Sequence, residues 1–418
     1  MRAILRLFPL CLLLLSGNLT AATHPEDWFR EIPEMESRLT ALTGLPFKHP
    51  VPYAVIDRGQ LRKNLDDTVK RTLKPEDVRI QEAVLKMLGL VPNDFDLKTT
   101  LVDLLTEQAA AFYDFHKKKL FLLDNDPGAE ARVALVHELA HALADQNFHL
   151  DRFVKDNGRG DDSETARLAV MEGQATWLMT AYIADSNTGL PDSALKDRPD
   201  LLTQSAAEFP VFAKAPLYIR VSLVFPYEDG LLFQDALYRR FGRESFSRVF
   251  RDPPVTTHQI LHPEAYTDQP PPKLPSPPVP PRQHDRLRKQ AEGTLGEIDL
   301  RVLLVQTVGK AEGEAAAAHL NGGAYAYYEN KRKQNPVLTF ATTWDSPQAA
   351  RHFFDLYRKV LARKWTKIEI VEQSGDRLAG RGDGGQFLVT CNGSEVSSLE
   401  GSLGLAQPAK VGLERPVR

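Results

Sequence analysis

His137-Glu138-Leu139-Ala140-His141 places two imidazoles four residues apart, with a carboxylate directly after the first. Residues four apart on an α-helix stand one turn above one another, so both rings can reach a single cation. Glu138 sits about 100° around the axis from His137, close enough to serve a water on that cation without ligating it. The chemistry this spacing predicts is hydrolysis. Zn2+ lowers the pKa of a bound water towards ~7, and a neighbouring carboxylate accepts the proton as hydroxide attacks a carbonyl. The surrounding residues Val133, Val136, Leu139, Ala140 and Leu143 make the helix apolar nearly all round. Burying two histidines and a glutamate there is expensive unless they hold an ion or serve a reaction.

Catalytic zinc takes three protein ligands and a water, so a third ligand must come from elsewhere in the chain. A metzincin would carry glycine three residues beyond the second histidine and histidine six beyond; those positions are Ala144 and Asn147, which excludes that class. The gluzincin alternative needs a glutamate on a following helix. TARLAVMEGQATWLMTAY supplies Glu172, set among apolar residues, with Gly173 and Ala175 small enough to let this helix approach the first. His149 and Asp145 are the other candidates. Asp145, one turn after His141, suits a supporting role better, as the acceptor that orients an imidazole. Tyr227 in LVFPYEDG, and His258 and His262 in TTHQILHP, are candidate donors to a developing oxyanion.

HELAHALADQNFHL with ARLAVMEGQATWL resembles a group of exported bacterial gluzincin metallopeptidases of the thermolysin-like zincin superfamily. The resemblance runs through AAFYDFHKKKLFLLD, LVFPYEDGLLF and HQILHPEAY, covering residues 107–266. GTLGEIDLRVLL and ATTWDSPQAARHFF are similar to a tail found in the same group. The resemblance implies a zincin fold with an active-site helix beside a sheet, zinc on His137, His141 and Glu172, Glu138 as general base, and a peptide or protein substrate. Thermolysin has an aspartate four residues after its ligand glutamate to support a histidine; here that position is Thr176, so the support is expected from Asp145. The competing reading is a non-catalytic zincin scaffold that binds a cell-envelope partner.

The elements that must position these residues give an α+β chain. Residues 23–105 read as mostly helical, with LRKNLDDTVKRTL and VRIQEAVLKMLGLVP as helices, the second stopped by Pro92. QAAAFYDF and KLFLLD read as two strands joined at HKKK, leading into the zincin-like domain of residues 106–268. An exposed edge of that pair could take a peptide as an added strand. QPPPKLPSPPVPP marks an extended linker over 269–282. Residues 283–418 then read as a separate α+β domain: strand-like EIDLRVLLVQTV, helix EGEAAAAHL, strand-like NPVLTFATTW, helix SPQAARHFFDLYRKVLARK, and strands TKIEIVEQ and GGQFLVTCN.

The chain has 418 residues, enough for more than one core. A formal net charge of -3 gives no electrostatic footprint for nucleic acid. Arg2 and Arg6 precede an apolar run from Leu7 to Leu15 and small residues at Ala21 and Ala22, the pattern of a signal peptide over 1–22. The run is too short for a membrane span, which predicts a secreted or periplasmic protein with no stable membrane span after cleavage. Cys391 would then be the one remaining cysteine, leaving no internal disulfide.

Overall fold

The computed structural model describes residues 29–57, 59–64, 74–108, 111–123, 129–154, 160–186, 188–196, 201–268, 273–281 and 287–403. The expected signal peptide lies outside them. The fold is mixed α+β, with a helical N-terminal part and a C-terminal β-sheet. Two compact units divide the described residues. Unit 1 takes those of Met1–Lys86, Leu90–Pro271 and Gly296–Val302; unit 2 takes Met87–Gly89 and those of Pro272–Leu295 and Leu303–Arg418.

In chain order, unit 1 is built from α1 (Ile32–Thr43), β1 (Tyr53–Ile56), α2 (Pro75–Leu88), α3 (Leu97–Gln108), β2 (Ala111–Asp114), β3 (Lys119–Leu123), α4 (Ala129–Phe148), α5 (Asp161–Ile183), α6 (Leu217–Phe241) and α7 (Thr257–Leu261), with shorter helical segments between them. The last residues of α2 fall in unit 2. The aromatic and aliphatic runs before and after HKKK pair antiparallel as β2 and β3, with Tyr113 opposite Leu120. A third strand comes from the segment read as mostly helical: β1 pairs parallel with β3, Tyr53 opposite Leu120, giving the order β1-β3-β2. Four residues, two of them exposed, leave too short an alternation to stand out in the sequence. The helix expected to run on to Pro92 ends earlier, at Leu88, because Gly89 takes the left-handed conformation at φ +79°.

Helix α5 is buried along almost its whole length and packs against both α4 and α6. Its first turn carries Asp161, Asp162 and Glu164, the charge sign a helix N-terminus favours. The contact with α6 is backbone on backbone: a Cβ on Gly173 would lie 2.1 Å from the Gly230 carbonyl carbon, and one on Gly230 would lie 2.3 Å from the Ala169 carbonyl oxygen. The expectation that Gly173 lets α5 approach α4 is therefore corrected. Glu172 faces α4, and the next residue, about 100° around the helix, faces α6. A buried polar link reinforces that interface, where the Trp177 indole donates to Asp235 Oδ1 at 3.1 Å.

The structural core of unit 2 is a seven-stranded antiparallel sheet, order β4-β5-β6-β10-β9-β8-β7. Its strands are β4 (Arg288–Leu295), β5 (Leu320–Glu329), β6 (Val337–Trp344), β7 (Ile368–Gln373), β8 (Arg377–Gly382), β9 (Gly385–Asn392) and β10 (Glu395–Gly401). Helix α10 (Pro347–Lys364) covers β6, β9 and β10, and starts at Ser346, whose hydroxyl accepts the Ala349 amide at 3.2 Å. EIDLRVLLVQTV, read as a strand, is instead α8 (Glu297–Val308), followed by α9 (Lys310–Ala317). The period-two reading of Ile298, Leu300, Val302 and Leu304 fails because Leu303 is buried as well, so the segment is covered on more than one face. Asp299 marks its start by accepting the Gly296 amide at 2.8 Å. Among the described residues no helix is long and apolar enough to cross a membrane, and Cys391 is a buried free thiol on β9.

Candidate metal centre

Helix α4 presents His137 and His141 on one face, and α5 brings Glu172 to meet them. His137 Nε2 lies 3.0 Å from His141 Nε2, and Glu172 Oε2 lies 3.2 Å from each. The three atoms form a nearly equilateral triangle. Ligands at 2.0–2.1 Å around a tetrahedral zinc stand about 3.3 Å apart, so the triangle fits that ion with only small adjustments. His137, Glu138, His141 and Glu172 are each 0–1% exposed.

Burial drives the His137 imidazole towards its neutral form. It also pushes the Glu172 carboxyl up, but the facing His141 and His137 outweigh that and hold it at about 2. As ligands to a cation, the two imidazoles would be neutral and the carboxylate ionised.

Glu138 turns to the sheet, where its Oε2 accepts the Tyr113 backbone amide at 2.8 Å. The edge of β2 at Tyr113 is therefore already engaged, and Ala111, Phe112 and Tyr113 are buried, which corrects the expectation of an open edge for an incoming peptide. Tyr113 is a residue that sequence reasoning missed. Its hydroxyl also donates to Asp145 Oδ2 at 3.0 Å, so one strand residue anchors two carboxylates of α4. The only sequence signal was its place in the aromatic run AAFYDF ahead of the helix.

Asp145 is not a histidine support. Its carboxylate accepts from Tyr113, from Lys118 Nζ at 2.8 and 2.9 Å, and from the Leu150 amide at 3.0 Å. One turn beyond His141, it lies opposite the β2–β3 turn and is taken up by that turn's lysine. Thr176 does not fill the role either, since its buried hydroxyl has no hydrogen-bond partner among the described residues. His137 Nδ1 likewise has none among the described residues.

Tyr227, on α6 directly after the in-helix Pro226, stacks its ring 6.0 Å from that of His137. Phe115 packs edge-on against His141. His149 is exposed, takes a left-handed φ of 57° and caps the short helix Leu150–Phe153, away from the triangle. His258 and His262 meet Glu297 in a separate group.

A family model described as a domain of unknown function (DUF8575) matches residues 284–407, a stretch that does not reach the histidines of α4. No curated protein and no solved structure matches the chain.

Proposed function

We propose that unit 1 is a zincin-like domain of an exported, zinc-dependent metallopeptidase that hydrolyses peptide bonds. The observation that carries this reading is the triangle of His137 Nε2, His141 Nε2 and Glu172 Oε2, with a second carboxylate, Glu138, adjacent in sequence to the first ligand. Two buried carboxylates and two imidazoles form a donor set that a dication would neutralise. When bound, zinc would supply a Lewis acid for a peptide carbonyl and lower the pKa of a water. The chain's own groups do the rest. His137, His141 and Glu172 hold the ion, while Glu138 takes a proton on its carboxylate and passes it to the leaving amine. The Tyr113 amide fixes Glu138 Oε2 and so orients that carboxylate. Tyr227, packed against His137, is the candidate donor to negative charge developing on the carbonyl oxygen.

The test is metal analysis of the purified chain combined with digestion of a peptide library. About one zinc should be lost together with His137 and His141, and Glu138→Gln should keep that zinc while losing cleavage. A correctly folded, metal-free protein would overturn the reading.

One observation favours a second reading. All four side chains are buried, as in a zinc site that serves only structure. If the zinc-loaded chain cleaves nothing in the library and zinc removal unfolds it, unit 1 is a non-catalytic zincin scaffold.

A further inference from the structure

A second pair of histidines at the same spacing closes the α7 turn. His258 lies in α7 and His262 is its C-terminal cap, and their rings lie tilted at 37° with centroids 4.4 Å from each other. Glu297 arrives from the first turn of α8, in the stretch Gly296–Val302 that belongs to unit 1. Its Oε2 lies 2.6 Å from His258 Nδ1 and 3.1 Å from His262 Nε2. Two ring nitrogens therefore converge on one carboxylate oxygen, and the three candidate ligand atoms all fall within 4.8 Å of one another.

The scaffold holds these ligands in place. Asp162, at the start of α5, accepts both the amide and the hydroxyl of Thr257 at 3.0 and 2.6 Å. A Cβ on Gly296 would lie 1.8 Å from Asp162 Oδ1, so the backbone of the residue before Glu297 packs directly on the same carboxylate. Asp299 then takes the Gly296 amide and the Tyr218 hydroxyl at 2.8 and 3.0 Å. The residue before His258 is thus hydrogen-bonded to Asp162, and the residue before Glu297 packs on Asp162 while its amide is held by Asp299. Preformed ligand positions of this kind reduce the ordering cost of binding an ion.

We propose that His258, His262 and Glu297 form a second, mononuclear zinc site that clamps Gly296–Val302 to α7. Two imidazoles and one carboxylate suit zinc better than calcium or magnesium, which prefer oxygen ligands. Zinc would take both imidazoles in their neutral form, with the carboxylate offsetting its charge. The histidine side chains are 27% and 31% exposed and that of Glu297 is 4%, so the ligand set is open to water on one side. The residue after the first histidine is Gln259, whose side-chain oxygen accepts the Val255 amide at 2.7 Å. Unlike His137, His258 is not followed by a carboxylate; the Glu264 carboxylate lies 3.8 Å from His262 Nδ1 but is largely exposed, and the site is assigned to binding an ion, not to hydrolysis. Asp162 and Glu172 are ten residues apart on α5, or about 15 Å along its axis, whereas metals that share a reaction sit roughly 4 Å apart. The second site therefore acts independently of the first.

Equilibrium dialysis of the full chain against zinc chloride, followed by metal analysis, tests this proposal. Wild type should bind one equivalent more than the buried triangle accounts for. His262→Gln should lose that equivalent, with affinity down roughly 100-fold or more. Glu297→Gln, which keeps the side-chain shape, should do the same. The double variant His137→Ala/His141→Ala should retain it, and zinc should still raise its melting temperature. If His262→Gln and Glu297→Gln both bind as much zinc as wild type, the second site is overturned. If the double variant binds none, the second site also fails, whatever the fate of the peptidase reading. If the double variant and wild type both bind a single equivalent, the second site stands and the buried centre fails.

Discussion

The two clusters of unit 1 share a composition of two histidines four apart and one glutamate from another helix, yet their surroundings differ at each step. In the first, both histidines lie within the twenty-residue helix α4, and a carboxylate follows the first of them. Its ligand glutamate comes from a helix that is buried around nearly its whole circumference. In the second, the histidines sit on a five-residue turn and its cap, a neutral amide follows the first, and solvent reaches both rings. The comparison separates binding an ion from using one. Both geometries could collect a cation, but only the buried one places a carboxylate directly after its first histidine.

The comparison breaks most readily at Glu138. Glu138→Gln should lower peptide turnover by about 10²- to 10⁴-fold with zinc content unchanged, measured by steady-state hydrolysis beside metal analysis. Retained turnover would remove the distinction between the two clusters. Glu172→Ala should weaken zinc binding at the buried centre by roughly 100-fold or more while leaving the α7 site loaded, as followed by competition with a chelator. Unchanged affinity would show that the third ligand is another residue. Gly173→Ala tests the α5–α6 packing beside the buried cluster. Its new methyl would meet the Gly230 backbone, and the chain should lose about 3 kcal/mol in urea unfolding.

The smallest effect concerns the anchor of the exposed cluster. Burial pushes Asp162 up to about 6, against the Thr257 hydrogen bonds that lower it. A raised carboxyl pKa stabilises the fold while the group stays protonated, and this contribution is lost as pH rises through about 6. Wild type should therefore lose about 1–2 kcal/mol between about pH 5 and about pH 8 relative to Asp162→Asn, read from urea midpoints at each pH. Parallel pH profiles for the two proteins would refute this.

Some of this was legible one residue at a time. The β2–β3 hairpin follows from the aromatic and aliphatic runs on either side of HKKK, and the paired histidines of α4 follow from helical geometry. Other features hid because burial cut across the expected pattern. β10 turns Ser398 and Glu400 inward along with Val396, so it shows no hydrophobic alternation to read. The buried face of α8 is too wide for helical periodicity to show, and its β-branched residues suggested a strand. Asp145 had the right spacing for a histidine partner, but Lys118 and Tyr113, from a different element, claimed its oxygens.

By itself the sequence determined the contacts that one helical turn of α4 encodes: His137 above His141, with Glu138 beside them. These follow from a rise and a twist that every α-helix shares. The tertiary structure decided which carboxylate closes each pair. It chose Glu172 over Asp145 and His149, brought Glu297 to α7 across the proline-rich stretch, and gave Gly173 to α6 instead of α4. Such choices depend on which helix faces pack together, and packing is set by the whole core, not by spacing along the chain.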